Sequence, residues 1–288
     1  MTPSTTSPEH PNTKGNPAPH KLLRVLLPMA FWLLIWQLGA MWVGRAAIRS
    51  AWAAGDSAAL LDAVLRGKEL FLPGPAAVLR SLGTLAGTAF FWQSALLSLE
   101  RIFAGFLAGA VLGAVLAVFC AAFRWADALL SPAVAVIRAT PVASFIILLL
   151  LWVATNRVPA VCSALMVLPV VWGNVRKGVG ETDPLLLEAA RAYRFTAWKT
   201  VRLVYVPSVL PYFASGCSTA LGLAWKAGIA AEVLCLPKTA IGTQIFNSKR
   251  YLETPDLFAW TLVVLLLSFL LDRVFGALFH RMERGRRG

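Results

Sequence analysis

The sequence predicts an all-α, polytopic membrane protein whose chain crosses the bilayer as six transmembrane helices. Hydrophobic residues make up 58% of the 288 residues and the mean hydropathy is +0.68, which is too apolar for one soluble domain. These residues are gathered into runs of about 20, the length at which a helix crosses about 30 Å of hydrocarbon. Charged side chains lie mainly at the ends of the runs, as they do beside membrane spans.

Six apolar runs form the predicted spans. The first follows Lys21 and Arg24 and is longer than the apolar core of a usual signal peptide, so we interpret it as an uncleaved helix. The fourth reaches membrane length only when Gly173 and Asn174 are included. The predicted spans are 25–44, 102–123, 132–154, 158–174, 207–236 and 257–279.

The chain is predicted to contain a disordered cytoplasmic tail, residues 1–20, and a transmembrane domain, residues 21–288. The tail is rich in Pro, Ser, Thr and Asn and has few large apolar side chains, so burial cannot offset the entropy of ordering it. An even number of spans places both termini on one side of the membrane. With the termini inside, the cytoplasmic segments hold fourteen Lys and Arg residues against nine outside, which predicts cytoplasmic N- and C-termini.

The net charge of +13 does not indicate a nucleic-acid partner, because the basic residues flank apolar runs and form no aromatic-interleaved patch. The four cysteines occur singly within apolar runs and lack metal-ligand spacing, so no metal site is predicted. No paired carboxylates share a helix face at membrane depth, and no Gly-x-x-x-x-Gly-Lys-Ser/Thr phosphate loop is found. The sequence therefore predicts no catalytic residues.

Small residues recur every four positions in the second predicted span, at Gly105, Gly109 and Gly113. This spacing places them on one face of a helix and allows another helix backbone to approach closely. We interpret this face as a helix-packing surface, either within one bundle or at a contact between two copies.

The third predicted span contains Arg138, Thr140 and Pro141. Proline removes a backbone donor and disfavours helical geometry at Thr140, so a kink or break is expected there. Irregular backbone beside an arginine at membrane depth is tolerated where it lines a cavity or is buried in protein. These residues are candidates for a pathway through the membrane or its gate. The alternative is that Arg138 pairs with a carboxylate or caps the broken helix.

Thr219, Lys226 and Glu232 bring polar groups into the fifth predicted span. Charges at this depth are costly and usually face the protein interior or water. Lys226 and Glu232 lie six positions apart, about 600° around a helix, so they cannot form an i,i+4 pair. All three residues are candidates for the pathway or its gate. For the two charges an internal salt bridge is equally open, with Glu100 and Arg101 as partners.

The segment 181–206 is a polar, basic, helix-forming loop between two apolar spans. Asp183 is placed to cap a helix whose first residue is Pro184. A second helix start follows at Thr196, so the loop is expected to form two short helices with a bend near Arg194. Their Leu, Ala and aromatic side chains would form a knob that fits a cleft on another protein.

This loop resembles the cytoplasmic coupling loop of ABC importer permeases. The residues that carry the resemblance are Glu188-Ala189-Ala190, followed by the aliphatic residues Val204 and Val206 and then by Pro207. Arg194 occupies the position at which the family pattern has glycine. Because a bend made by glycine through positive φ is strained for arginine, we expect the loop to turn differently here or to meet its partner with an added charge.

Further segments resemble the nitrate/sulfonate/taurine-type branch of these permeases. The region after Pro141 departs from that branch, because Ile146-Ile147-Leu148 stands where a second proline is usual. The matching segments are 72–75, 98–106, 138–143, 222–232 and 271–273.

The resemblance implies a type I ABC importer permease bundle in the cell inner membrane, surrounded by lipid. It also implies ATP-binding subunits that carry ATP and Mg, an extracytoplasmic solute-binding protein, and a second permease copy. The residues that would contact the ATPase are Glu188, Ala189, Ala190, Tyr193, Arg194 and Pro207.

Two other functions are compatible with a polytopic chain. An ion- or proton-coupled secondary carrier would need a buried titratable relay, for which Lys226 and Glu232 are the only residues available. A non-transporting membrane scaffold would need neither a relay nor a coupling loop. The 181–206 loop favours the importer permease over both.

Overall fold

The computed structural model describes residues 20–68 and 71–284, with side chains described for residues 27–65 and 71–277. The predicted tail, residues 1–20, lies outside the described residues except for its last position. The described chain is almost entirely helical, which confirms the predicted all-α class. By contact, the described residues up to Ala77 form one compact unit and those from Val78 form a second.

The first unit consists of three helices and a small hairpin. Trp36 Nε1 donates a hydrogen bond to the Pro73 carbonyl at 3.1 Å, and Gln37 Nε2 donates one to the Val64 carbonyl at 2.5 Å. These bonds hold the first helix against the segments that follow it. The elements are α1 (His20–Val43), α2 (Arg45–Ala54), α3 (Ser57–Arg66), β1 (Gly67–Lys68) and β2 (Leu72–Pro73), with β1 and β2 antiparallel.

The second unit is a helical bundle, and α4 begins just before it. Its elements are α4 (Pro75–Ala86), α5 (Ala89–Ala122), α6 (Arg124–Ala139), α7 (Val142–Leu149), α8 (Val158–Gly180), α9 (Pro184–Ala192), α10 (Ala197–Thr200), a π-helical segment (Val201–Tyr205), α11 (Val206–Cys235), α12 (Ile241–Arg250) and α13 (Thr254–Arg284). The most extensive contacts are those of α8 with α5 and α11, so α8 is the central helix.

Three helices of the described chain are long and apolar enough to cross a membrane: α5, α8 and α13. The number rises to five if each of two bent helix pairs is one span; α1 with α2 bends by 69° and α6 with α7 by 104°. The predicted count of six therefore depends on α11. This helix has 30 residues and contains Lys226 and Glu232, and it is not among the helices that are apolar enough by composition.

The predicted span 132–154 is interrupted at the break expected beside Pro141, so its residues belong to two helices. Helix α6 ends at Ala139, and its C-cap residue Thr140 has an extended backbone at φ −78° and ψ 130°; α7 starts after Pro141. Proline forces this geometry on the residue before it, which is the break that the sequence predicted. The bend of 104° between α6 and α7 is larger than a usual helix kink. Helix α7 is short and ends at Leu149.

The glycine face of α5 lies directly against the backbone of α8. A Cβ atom built on Gly109 would lie 2.5 Å from the Ala164 carbonyl oxygen, and one on Gly113 would lie 2.7 Å from that of Leu168. Gly105 meets Ala160 even more closely. The three contacts follow each other at four-residue steps on both helices, so the contact is within one bundle.

A neighbouring face of α8 packs against α11, which runs antiparallel to it. Gly178 of α8 meets Tyr212, while Asn174 meets Gly216. Further along, Ser163 Oγ donates a hydrogen bond of 3.0 Å to the Ala224 carbonyl. Residue numbers therefore rise on one helix as they fall on the other, which fixes the relative depth of side chains on the two.

The 181–206 loop folds as two short helical pieces, as its sequence predicts. The Asp183 side chain caps α9 by accepting a hydrogen bond of 2.8 Å from the Leu185 amide. The helix ends in a Schellman motif, in which the Phe195 amide bonds to the Ala190 carbonyl at 2.8 Å. Arg194 takes the left-handed position of this motif with φ +50°. The expectation that the loop turns differently there is wrong, because arginine adopts the glycine geometry.

The π-helical segment joins the loop to α11. Its wider turn places the Val206 amide on the Val201 carbonyl, five residues back. Pro207 follows immediately and has no amide to donate. The π-helical turn gives the proline ring room beside the preceding turn, so the helix continues into α11 without a break.

Replacing Gly109 with Leu is expected to destabilise the bundle by about 1 to 3 kcal/mol, because the added side chain meets the α8 backbone. The measurement is the thermal unfolding midpoint of the purified protein in detergent. Gly276→Leu on α13 is the matched control, since a Cβ atom there meets nothing within 4 Å. Equal midpoints for the two variants would contradict the close contact between α5 and α8.

Replacing Arg194 with Gly is expected to stabilise the loop by about 1 kcal/mol, because glycine adopts positive φ without the steric cost that arginine bears. Amide exchange of residues 184–200 measures the local effect. Arg191→Gly, within helix α9, should instead lower protection by about 1 kcal/mol. If Arg194→Gly lowers protection, as Arg191→Gly is expected to do, Arg194 is not strained.

Candidate functional site

Large apolar side chains of the 181–206 loop are exposed. Leu185, Leu186, Tyr193 and Trp198 each expose between 49% and 78% of their surface, and we call them together the loop surface. Glu188 lies on the same helix as two of them and is also exposed. Exposed apolar side chains gathered on a surface are typical of contact sites for other proteins.

The family-like residues of the loop divide into surface and structural positions. Glu188, Ala189 and Arg194 are exposed and Pro207 is half-buried. Ala190 is 3% exposed, and its carbonyl accepts the hydrogen bond that ends α9. A larger side chain at Ala190 would therefore disturb the loop itself.

Aromatic and basic side chains fix the bend of the loop. The Lys199 ammonium lies 4.3 Å from the centre of the Phe195 ring, a cation–π contact, and the Tyr193 ring lies 6.4 Å from the same ring. The bend is thus stabilised by contacts within the loop, which leaves the loop surface available.

An ion pair joins α6 to α8 at the end of the bundle that carries the loop. Arg176 Nη2 donates a hydrogen bond of 2.6 Å to Asp127 Oδ2, and Ser131 Oγ donates one of 2.8 Å to Asp127 Oδ1. The Arg176 guanidinium also lies 5.1 Å from the Trp172 ring. The sequence analysis missed this pair, although an acid and a base at the ends of neighbouring spans were its signal.

One face of α11 is exposed and carries several polar residues beside the exposed Leu223. Its exposed residues recur at helical spacing and include Ser215, Ser218, Thr219 and Lys226. Lys226 makes no hydrogen bond or ion pair with any residue that the structure describes. The buried face of the helix packs against α8 and α5 with small residues such as Ala220 and Ala224. We call the exposed side the α11 polar face.

Arg138 is exposed at the break between α6 and α7. Its Nη2 donates a hydrogen bond of 3.2 Å to the Pro169 carbonyl of α8, and Gly173 leaves the space for the guanidinium. Within the described chain, Arg138 has no carboxylate partner. Along α8, Pro169 lies between Ser163, which contacts Ala224 of α11, and Asn174, which contacts Gly216 of α11. The Arg138 guanidinium, at the Pro169 carbonyl, therefore lies at about the depth of Thr219.

Glu232 is fully buried and has internal partners. Ser98 Oγ donates a hydrogen bond of 2.8 Å to Glu232 Oε2, and the Gly242 amide donates one of 3.1 Å to the same oxygen. Arg101 Nη1 lies 3.8 Å from Oε1. Of the two interpretations left open by the sequence, the structure shows the internal salt bridge for Glu232, whereas Lys226 is exposed and has no such partner.

Sequence reasoning named Arg101 as a partner but missed Ser98 and Gly242. Ser98 lies 134 positions from Glu232, and serine in an apolar span is usually a packing residue. Gly242 acts through its backbone, which no side-chain pattern reveals. The Ser-Leu-Glu-Arg sequence at 98–101 was the one signal for this network.

The described residues hold no group of His, Cys, Asp or Glu that could bind a metal ion. A cavity of about 420 Å³ lies behind the loop, lined by α5, α8 and residues 201–213. Its lining is almost wholly apolar, so it offers nothing to a charged solute.

The chain is similar to permease proteins of known transport systems. It is 28% identical over 246 residues to SsuC of Escherichia coli (strain K12), named for transport of aliphatic sulfonates, covering 85% of this chain and 90% of that one. It is 25% identical to the taurine transport system permease protein TauC of the same organism, covering 74% and 79%. The bicarbonate transport system permease protein CmpB of Synechococcus elongatus is 27% identical, covering 64% and 66%.

The fold is similar to that of a solved amino acid ABC transporter. The two chains superpose with a TM-score of 0.58 at 19% identity, covering 70% of this chain and 97% of that one. At this identity the similarity concerns the fold, and it agrees with the helical bundle described above.

The family of binding-protein-dependent transport system inner membrane components matches residues 109–284, more than half of the chain. Members are non-catalytic pore subunits in the membrane, and a separate chain hydrolyses ATP. The match confirms the resemblance found in the sequence and contradicts the secondary-carrier and scaffold alternatives. The chain therefore belongs to the family of binding-protein-dependent transport system inner membrane components and is a permease subunit of an ABC importer.

Proposed function

We propose that this permease imports a small anionic solute and contacts its ATP-binding subunits through the loop surface. The observation that carries the proposal is the exposure of Leu185, Leu186, Tyr193 and Trp198 around Glu188. ATP and Mg are bound by the partner ATPase. A solute-binding protein delivers the solute on the opposite side of the membrane.

The loop is suited to transmit force because it is both exposed at its tip and fixed at its base. Thr182 is buried and donates a hydrogen bond of 3.1 Å to the Gly178 carbonyl at the end of α8. At the other end the π-helical segment continues directly into α11. A displacement of the loop would therefore move the two central helices.

The same proposal sets the orientation of the chain. A loop that contacts a cytoplasmic ATPase places the break between α11 and α12 on the outer side, and it places both termini in the cytoplasm. The excess of basic residues in the inner segments favours this orientation.

We propose that the α11 polar face lines the translocation pathway together with a second copy of the permease. A lysine that faced lipid at this depth would cost about 2.5 to 3.5 kcal/mol even on insertion scales. Contact with water or with another protein subunit removes that cost. Thr219 and Lys226 then face the pathway, and Arg138, Thr140 and Pro141 lie beside it at the break between α6 and α7.

The charges on these helices favour an anion. In the described parts of α6, α7, α8 and α11 the two carboxylates, Asp127 and Glu232, both have a cationic partner. Arg138 and Lys226 have none, so the face carries uncompensated positive charge. The relatives are named for aliphatic sulfonates, taurine and bicarbonate, each of which carries an anionic group that a cation on the pathway could bind.

Replacing Glu188 with Lys is expected to abolish coupled transport and to reduce co-purification of the ATP-binding subunits. The side chain is exposed on the loop surface, so the change reverses a charge at the contact without disturbing the fold. The measurement is recovery of the ATPase on the tagged permease, together with solute uptake. Ala190→Asp is a poorer probe, because Ala190 is buried and its replacement would damage the loop.

Glu181→Lys is the matched control for this experiment, since it makes the same charge change at the exposed first position of the loop, before α9 and away from the loop surface. It should leave ATPase recovery within about twofold of the original protein, as surface changes away from a contact do. Normal uptake by the Glu188 variant, or equal losses in both variants, would contradict the role of the loop surface.

Replacing Lys226 with Met is expected to lower uptake of the anionic solute by about tenfold or more, because a hydrogen bond to a charged group is lost. Radiolabelled taurine, an alkanesulfonate and bicarbonate are the probes, and the one imported by the original protein is used. Lys226→Arg should retain most uptake, while Lys177→Met controls for loss of an exposed charge. Full uptake by the Met variant would exclude Lys226 from the pathway.

A further inference from the structure

The first turn of α12 lacks a cap of its own. Its N-cap position is Ala240, whose methyl group accepts no hydrogen bond. Ile241 and Gly242 are buried, so water cannot satisfy the amides of this turn. A buried helix start with free amides would be costly, and partners must come from elsewhere.

Two side chains from other helices supply the missing acceptors. Ser98 Oγ of α5 accepts a hydrogen bond of 2.9 Å from the Ile241 amide. Glu232 Oε2 of α11 accepts one of 3.1 Å from the Gly242 amide. Ser98 in turn donates its hydroxyl proton to Glu232 at 2.8 Å, so both acceptors belong to one network. A carboxylate at a helix N-terminus is also favoured by the helix dipole.

The segment before α12 is held by the same network. Arg101 Nη1 donates a hydrogen bond of 2.7 Å to the Thr239 carbonyl and lies 3.8 Å from Glu232 Oε1. Gly242 packs so closely on the end of α11 that a Cβ atom there would lie 2.6 Å from the Val233 amide nitrogen. The start of α12 is therefore fixed to α5 and to α11 at once.

We infer that Glu232 is a positioning residue. From its place on α11, its side chain caps the start of α12 and makes α12 move together with α11. Its carboxylate is fully buried and hydrogen-bonded, which separates it from the exposed Lys226 on the α11 polar face. Because α11 is one continuous helix from Val206 to Cys235, its other end is the 181–206 loop. A movement of α11 that starts at the loop reaches α12 through this carboxylate.

The inference goes beyond the pathway and the loop surface, since it concerns neither solute contact nor ATPase contact. All residues of the hydrogen-bond network around Glu232 belong to the permease chain itself. Its first test is accordingly made on the permease alone, where the outcome does not depend on the identity of the solute.

Hydrogen–deuterium exchange of the full-length permease in lipid nanodiscs is the first experiment. Glu232→Ala should speed exchange of the first turn of α12 about tenfold, as expected for loss of a helix cap, with α8 and α13 unchanged. Glu232→Gln keeps an acceptor for Ser98 and Gly242, so exchange there should stay within about threefold. An unchanged first turn in the Ala variant would overturn the inference.

Two further variants keep the test decisive. Asp256→Asn is the matched control, because this carboxylate accepts a hydrogen bond from Ser81 at 2.6 Å in the first turn of α13 and touches no part of the network. If Glu232→Ala fails to fold, Ser98→Ala removes one acceptor with a smaller change in volume. Protection of the Ile241 amide that survives Ser98→Ala would equally overturn the inference.

The second experiment asks whether the link serves transport. The permease is reconstituted with its ATP-binding subunits and solute-binding protein, and ATP hydrolysis is measured with and without the binding protein. Glu232→Ala should keep the basal rate and lower the stimulation by about fivefold or more, whereas Glu232→Gln restores it. If Glu232→Ala speeds amide exchange in α12 but leaves the stimulation of ATP hydrolysis unchanged, the cap is purely structural and the positioning role is overturned.

Discussion

The close contact of α5 with α8 is the constraint on which the rest of the bundle depends. Lipid gives helices no hydrophobic reason to associate, so packing of small residues must hold them together. Gly105, Gly109 and Gly113 let the two backbones approach to distances that any side chain would prevent. Because α8 is fixed in this way, α11 can pack closely on it through Gly178 and Gly216.

The charged residues at membrane depth in the described chain fall into two groups, those with a partner of opposite charge and those without one. Asp127 and Glu232 meet basic partners across helix pairs and hold α6 and α12 in place. Arg138 and Lys226 have no carboxylate partner in the described chain and lie on exposed positions. A membrane protein retains a charge only where structure or function offsets its cost. The paired charges therefore join helices within the bundle, and the unpaired ones are those that we propose to face or adjoin the pathway.

Local patterns predicted the parts of the molecule that local interactions determine. The four-residue spacing of glycines, the cap at Asp183 and the break at Pro141 each follow from neighbouring residues. The size of the bend after Thr140 and the partners of Glu232 could not be predicted, because they depend on residues far apart in the chain. The sequence placed Lys226 and Glu232 together as candidates for one role, and burial separated them.

Several helix ends break the local rules, and two of them flank α11, one before it in the chain and one after it. At Arg194 the loop adopts a left-handed geometry that arginine bears at a cost, and the Phe195 amide still completes the cap. At Ala240 the cap is absent from the local sequence, and Glu232 supplies it from the preceding helix. The first end is exposed and the second is buried. An exposed, strained end suits a partner contact, whereas a buried end held by three elements suits transmission of movement.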